Sequence, residues 1–429
     1  MAQRAIREYD AKRMLSAHWT EYFGKASRYE GNVVLVTAET ALSDLGDQYP
    51  WLNQKKLIVK PDQLFGRRGK HGLVLLDADL DRAVQWIGEH MGKEVTLDGI
   101  TDRLTHFLVE EHVPHREEYF LAIKSERDSD QILFSAHGGM DIEKLWSTVT
   151  AISIPILEEI EAVAVDSRLP PELGEEKKRG LSPFIRGLFK FYRDLHFTYL
   201  EINPFALAGE QIMPLDFVAR LDDTAHFACA GAWGDVSFPP PFGRKLSAEE
   251  AYIKQLDQKS GASMKLTVFN PKGRVWTLVA GGGASVIYAD TIADLGFGKE
   301  LANYGEYSGN PSADETYEYV KTVLSLMVRE KDPDGKILLI GGGIANFTDV
   351  NATFTGIVKA IREFSRELID GKVTVYVRRG GPNYRLGLEN MKKLGVSLGL
   401  PIHVYGPELH MTRIVRYALQ KGEVHHASK

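Results

Sequence analysis

The strongest hydrophobic pattern lies in the second half of the chain. Three short apolar runs each end in glycine: Val275–Ala280 before Gly281–Gly283, Ile337–Ile340 before Gly341–Gly343, and Val373–Val377 before Arg378, Arg379, Gly380 and Gly381. Runs of this length, bounded by glycine, predict buried strands. The first glycine turn leads into a short helix. Val350, Phe354, Ile357, Val358 and Ile361 mark the apolar face of another helix, with Thr348 placed to cap it. Asn303–Asn310 reads as a polar loop. Strand, glycine turn and helix in repetition are the sequence form of an open α/β sheet.

The first half is less regular. Ile6–Phe23 has apolar or aromatic residues at helical spacing, and Asn32–Thr37 reads as a strand. Leu57–Val59 and Leu73–Leu76 predict a hairpin whose turn carries Gly66, Arg67, Arg68, Gly69 and Lys70. Phe107–Glu111 and Tyr119–Ile123 read as strands on either side of a linker at residues 112–115. Ser182 is placed to cap a helix over Pro183–Leu195. Strands Phe197–Ile202 and Gln211–Leu215 follow, the first ending at Asn203 and the second at Asp216. Trp233–Arg244 is rich in proline and reads as a linker, which places the main domain boundary near residues 240–260.

At 429 residues the chain exceeds one ordinary core and predicts two or three domains. A net charge of −6 with no long basic run argues against nucleic acid as a partner. No apolar run reaches membrane-spanning length, and the charged N-terminal stretch does not read as a signal or transit peptide. Cys229 is the single cysteine, which excludes a disulfide framework and a cysteine-rich metal site. The expectation is a cytoplasmic protein.

The candidate chemistry falls into two groups. A glycine-rich hairpin with several cations can cover a polyphosphate, because glycine allows close approach and the cations neutralise charge. By itself the hairpin reads equally well as a solvated basic turn. Asn203 and Asp216 offer an amide oxygen and a carboxylate, a suitable seat for Mg²⁺, which leaves most of its shell to water and phosphate. Their pairing with the hairpin favours the nucleotide reading. His137, His112 and His115 are weak candidates, since none has a partner at catalytic or zinc spacing. In the second half the glycine turns share one sheet edge with Asn346, Thr348 and an arginine pair. Ligands in open α/β sheets gather at that edge, and arginine suits a carboxylate or phosphate. Hydroxyl and amide donors beside arginine point to a small, multiply charged, hydroxylated acid. A dinucleotide fits poorly, because no GxGxxG follows the first strand.

Several motifs in fixed order carry a resemblance: KPDQL at Lys60–Leu64, RRGK at Arg67–Lys70, VPH at Val113–His115, YLEINP at Tyr199–Pro204, PPPFGR at Pro239–Arg244, AGGGASV at Ala280–Val286, EYSG at Glu306–Gly309, IANFT at Ile344–Thr348 and VRRGGPNY at Val377–Tyr384. Together they resemble the ATP-citrate lyase family over nearly the whole chain, specifically its N-terminal part or smaller subunit. More distantly the chain is similar to the succinyl-CoA synthetase β subunit. The resemblance implies an α/β architecture: an ATP-grasp module over residues 1–243, with a smaller lobe inserted at about 20–109, then a flavodoxin-like open α/β domain over 244–429. It implies ATP contacts from Lys60, Arg68, Gly69, Glu111, Val113, Glu118 and Asp216, and Mg²⁺ at Asn203 and Asp216. A second ion loop is implied at Asp257, Ser260 and Ala262. Citrate would meet Gly282, Gly283, Ser308, Gly309, Asn346, Thr348 and Arg379. Phe364 stands where the family can carry a tyrosine that contacts citrate.

The family reaction converts ATP, citrate and CoA to acetyl-CoA, oxaloacetate, ADP and phosphate through a phosphohistidine, citryl-phosphate and citryl-CoA. The resemblance places the phosphorylated His, most of the CoA site and the lyase domain in a partner subunit or C-terminal half. This chain has no GHAG-type loop and no citrate-synthase-like region, so alone it is expected to be incomplete. Two alternatives stay open at this level: a subunit of a citryl-CoA or succinyl-CoA synthetase, and a non-catalytic regulatory protein that binds organic acids.

Overall fold

The computed structural model describes residues 3–25, 29–139, 142–208 and 211–420. The chain divides into two compact units, Met1–Lys245 and Leu246–Lys429. The ends of the expected domain spans, residues 1–2 and 421–429, lie outside the described residues.

Among the described residues, the first unit contains a seven-stranded antiparallel sheet. Its order is Gln3–Ile6, Phe217–Asp222, Phe197–Ala208, Glu118–Ser125, Ser129–Ser135, Thr150–Pro155, with Gln211–Pro214 also paired to Phe197–Ala208. The helix Gly174–Asp194 belongs to the same core through Leu181, Phe184, Ile185, Leu188, Phe189 and Tyr192. Their spacing of three and four residues forms one apolar stripe. A second sheet runs Val33–Thr37, His106–Glu111, Leu57–Pro61, Leu75–Ala78, also antiparallel. It has its own core, joined by Ala83 and Ile87 of the helix Leu80–His90. Asp79 caps that helix by accepting from the Arg82 N–H at 2.9 Å.

The second unit is a parallel sheet of order Val275–Ala280, Ile337–Gly342, Thr374–Arg378, Ile402–Tyr405 among the described residues. Alternate residues enter two cores. Trp276, Leu278, Leu338, Ile340, Val375 and Val377 face one, with helices Ala313–Met327, Val350–Glu363 and Tyr384–Leu398. Val275, Val279, Ile337 and Leu339 face the other, with Gly282–Ile292 and Arg413–Leu419. A sheet covered on both faces explains why its strands read as unbroken apolar runs. An antiparallel pair, Ser263–Val268 with Asn303–Ser308, lies beside the first parallel strand. There the buried Asn303 amide stands in for a strand partner. Its oxygen accepts from the Thr277 N–H at 2.8 Å, and its nitrogen donates to the Thr277 carbonyl at 2.9 Å.

Four expectations are corrected. The first helix is preceded by the strand Gln3–Ile6, whose partner is more than 200 residues away and leaves no local signal. Ser182 does not cap a helix: the helix begins at Gly174 and runs through Pro183, so the buried Ser182 sits in its interior. Phe197–Ala208 continues through Asn203, where the register shifts, so Asn203 lies within a strand and not at its end. Asn303–Ser308 is a strand and not a polar loop; Asn303, Gly305 and Tyr307 face inward, and the Asn303 amide satisfies the sheet edge.

Candidate functional sites

In the first unit the strand Leu57–Pro61 delivers Lys60, and the turn after it delivers Arg68. Both side chains are buried. Lys60 Nζ is held by Glu8 Oε1 at 2.8 Å, Glu110 Oε1 at 2.7 Å and the Leu215 carbonyl at 2.7 Å. Lys12 Nζ lies 2.8 Å from Glu8, donates to the Leu215 carbonyl at 3.0 Å and pairs with Glu110. Arg68 sits 2.7 Å from Glu8 Oε2, pairs with Asp216 and donates to the Pro61 carbonyl at 3.1 Å. Three cations thus face three carboxylates in one network, buried except at Asp216, whose side chain is 37% exposed.

The charges set each other's protonation. Burial pushes the Glu8 carboxyl up, but Lys12, Lys60 and Arg68 outweigh it and hold it far below the usual range. Burial also raises Asp216, with Arg68 pulling the other way. Asp62 accepts from the Glu8 and Tyr9 N–H groups at 3.0 and 3.1 Å, yet burial and the Glu8 charge push it up to about 6.

A cavity of about 340 Å³ opens against this network, lined by Lys55, Glu110, Glu111, Val113, Met213 and Leu215 among others. Its size suits a small-molecule site. Lys55 lies 2.8 Å from Glu111. Further along, His115 Nδ1 is 2.8 Å from the Val113 carbonyl and Nε2 is 3.1 Å from Glu118. The Gly139 N–H donates to Asn203 Oδ1 at 2.8 Å, and the Asn203 N–H donates to the Asp216 carbonyl at 3.0 Å. Lys60, Arg68 and Asp216 thus share one network that Asn203 joins through its backbone, Glu111 and Val113 line the cavity, Glu118 reaches Val113 only through His115, and Gly69 is exposed on the hairpin turn. Glu8, Lys12 and Glu110 escaped the sequence reading. Glu8 and Lys12 stand four apart on one helix, which is the only local hint.

As a metal seat, Asn203 offers an Oδ1 that accepts from the Gly139 N–H, and Asp216 offers a carboxylate that pairs with Arg68; the two residues meet through their backbones. No group of three or more His, Cys, Asp or Glu could hold an ion among the described residues. Two donors fit Mg²⁺ brought in with phosphate better than a resident caged ion. At the second expected ion loop, Asp257 accepts from the Met264 N–H at 2.8 Å and pairs with Lys265. Ser260 donates to Glu315 at 2.5 Å and accepts from the Ala262 N–H at 2.9 Å. These groups are occupied by their own neighbours.

In the second unit the parallel register places Ala280 beside Gly342, so both glycine turns open on one edge. The Ala345 N–H donates to the Gly380 carbonyl at 2.9 Å, and the Asp349 N–H donates to Asn310 Oδ1 at 3.3 Å. These bonds draw Ser308–Gly309, Asn346–Thr348 and Arg379 toward the same edge. Asp349, not Thr348, caps the following helix, accepting from the Ala352 N–H at 3.0 Å. The Thr348 hydroxyl is thus not needed for capping. Nothing described lies within 4 Å of where a Cβ would stand at Gly283 or Gly343, which leaves room in front of both turns.

The two arginines differ. Arg378 donates to the carbonyls of Leu409, Gly342 and Pro407 at 2.8, 2.9 and 3.2 Å. Arg379 is 4% exposed and donates to the Gly343 carbonyl at 2.6 Å, while its buried Nε finds no partner among the described residues. A Cβ at Gly342 would lie 2.7 Å from Arg379 Nη1, so only glycine leaves this guanidinium its place. Burial lowers the pKa of Arg379, although nearby Tyr307 and Tyr288 oppose that shift. A buried guanidinium with an idle N–H is a donor waiting for an anion. Phe364 does not join this edge. It follows the C-terminal end of Val350–Glu363, about 20 Å along the axis from the Thr348 end.

A family model for the ATP-citrate synthase ATP-grasp domain matches residues 2–233, and one for the ATP citrate lyase citrate-binding region matches residues 244–421. The chain belongs to the ATP-citrate lyase family. It is 47% identical to the "ATP-citrate synthase alpha chain protein 2" of Oryza sativa subsp. japonica, over 98% of this chain and 99% of that one. It is 49% identical to the "ATP-citrate synthase" of Bos taurus over 98% of its own length, but spans only 38% of that relative. Among solved structures it resembles ATP citrate lyase from Methanothrix soehngenii, in complex with citrate and coenzyme A, at 54% identity and a TM-score of 0.89. That match covers 98% of this chain and 100% of the other. Within this family the expected fold class holds: an ATP-grasp module followed by a flavodoxin-like open α/β domain. No described helix is long and apolar enough to cross a membrane.

Proposed function

We propose that this chain is the ATP- and citrate-binding part of an ATP citrate lyase, which converts ATP, citrate and CoA to acetyl-CoA, oxaloacetate, ADP and phosphate. The observation that carries the citrate half is Arg379, buried with an idle Nε at an edge of open glycine turns. The ATP half is supported by the cavity beside Lys60, Glu111 and Val113. Lys60 and Arg68 would exchange a carboxylate contact for phosphate oxygens and neutralise charge on the transferring phosphoryl group. Asn203 and Asp216 would hold Mg²⁺, which supplies further neutralisation there. At the second site Arg379, Asn346, Thr348 and the turn N–H groups would bind citrate and present one carboxylate to a phosphohistidine. That histidine, most of the CoA site and the lyase chemistry would belong to a larger partner, giving a hetero-oligomer. The solitary Cys229 suits a cytoplasmic setting.

Calorimetry on the full chain tests the citrate site. Citrate should bind the wild type, and Arg379→Ala should weaken it by about 100-fold or more, the loss of a buried charge-assisted partner. Equal binding by both proteins would sink the assignment. Mg-ATP, CoA and citrate together should yield no acetyl-CoA without a partner; appreciable product would refute the division of labour.

A further inference from the structure

Lys60 shares its acceptors with a second cation. It arrives on the strand Leu57–Pro61, while Lys12 reaches the same place from the helix Glu8–Ala17. Glu8 Oε1 lies 2.8 Å from Lys60 Nζ and 2.8 Å from Lys12 Nζ. The Leu215 carbonyl accepts from both, at 2.7 Å and 3.0 Å. Glu110 offers Oε1 to Lys60 at 2.7 Å and Oε2 to Lys12. Among the described residues, every partner of Lys60 is thus a partner of Lys12 as well. Glu110 and Leu215 also line the cavity beside this network, whereas Lys12 is fully buried.

A cation that turns from buried carboxylates to an incoming phosphate leaves them desolvated and unpaired, which is costly. The duplication removes most of that cost. With Lys60 on phosphate, Glu8, Glu110 and the Leu215 carbonyl would each keep Lys12. Burial pushes the Lys12 ammonium down, but Glu110 and Glu8 outweigh it and hold it above the ordinary lysine value, so it stays charged. We propose that Lys12 is a positioning residue for the nucleotide: it keeps the acceptors that Lys60 leaves satisfied, and so lets Lys60 turn to phosphate. The assignment rests on the nucleotide reading given above, in which Lys60 meets phosphate oxygens. It differs from a purely structural ion-pair network, in which weakening any member would weaken nucleotide binding.

The test is calorimetry with Mg-ATP on the full chain and three variants, read for the sign of each change. Lys12→Met keeps the length of the side chain and removes its charge. It should bind Mg-ATP about 10-fold or more weakly, because Lys60 could then leave only by orphaning buried carboxylates. Glu110→Gln keeps an acceptor and removes a charge that competes with phosphate for Lys60. It should bind Mg-ATP as tightly as wild type or up to about fivefold more tightly. The double variant loses one charge of each sign and should return to within about threefold of wild type. An unchanged affinity in Lys12→Met would overturn the proposal, and so would weaker binding in Glu110→Gln, the mark of a merely structural network. Should Lys12→Met not fold, a loss of about 10-fold or more in the double variant would overturn it instead. A wild type that does not bind Mg-ATP would overturn the nucleotide reading itself, and this assignment with it.

Discussion

The two candidate sites solve the problem of holding an anion in opposite ways. In the first unit the buried cations arrive already neutralised: Lys12, Lys60 and Arg68 share the buried Glu8 and Glu110 and the partly exposed Asp216. A phosphate chain entering there must replace carboxylates that the fold itself supplies. In the second unit the edge is kept open by glycine, and Arg379 is anchored by one carbonyl with Nε idle. The physical difference is the cost of a lone buried charge. Three cations together could not stay desolvated without internal partners, whereas one delocalised guanidinium can lean on backbone carbonyls. The first site is therefore built for exchange and the second for capture.

The largest expected effect tests whether the first network is truly saturated. Glu8→Ala should lower stability by about 3–5 kcal/mol, because it strips a buried carboxylate from three cations. A denaturant midpoint like that of wild type would show that these charges do not depend on one another. Next comes the arginine contrast. Arg378→Ala frees three carbonyls and should cost roughly 3 kcal/mol of stability. Arg379→Ala should cost less stability but abolish most citrate binding; the reverse pattern would exchange their roles.

A smaller effect follows from Asp62. Its folded pKa, about 6, lies above the ordinary carboxylate value. Such a group contributes stability in full below the unfolded pKa and loses it as pH rises through the folded one. Between pH 4 and 7 the wild type should therefore lose on the order of 2 kcal/mol that Asp62→Asn does not lose. Parallel pH profiles of the two midpoints would remove Asp62 from the account. The smallest expected change is at the second site. In Gly282→Ala the new methyl would stand 3.1 Å from the Glu306 carboxylate, and citrate affinity should fall by about fivefold, roughly 1 kcal/mol. No change would mean that the turn does not approach the ligand.

Legibility varied with the range of the interaction that decides each feature. The strand Val275–Ala280 was legible to the residue because both its faces are buried and glycine ends it. Arg379 was nominated, but Arg378 looked equivalent until the structure occupied it with three carbonyls. Thr348 was ambiguous between cap and ligand until Asp349 took the capping role. Glu110 was invisible, since a carboxylate in a strand reads as solvated unless its buried cations are known.

Local chemistry in the sequence determined the repeating strand–glycine–helix units, the cationic hairpin and the family. Each rests on residues close together in the chain: apolar periodicity, turn glycines and motif order. The tertiary structure alone decided which charges neutralise one another and which arginine keeps an idle Nε. Those outcomes depend on desolvation and on partners dozens to hundreds of residues away, and the sequence lists such partners without pairing them.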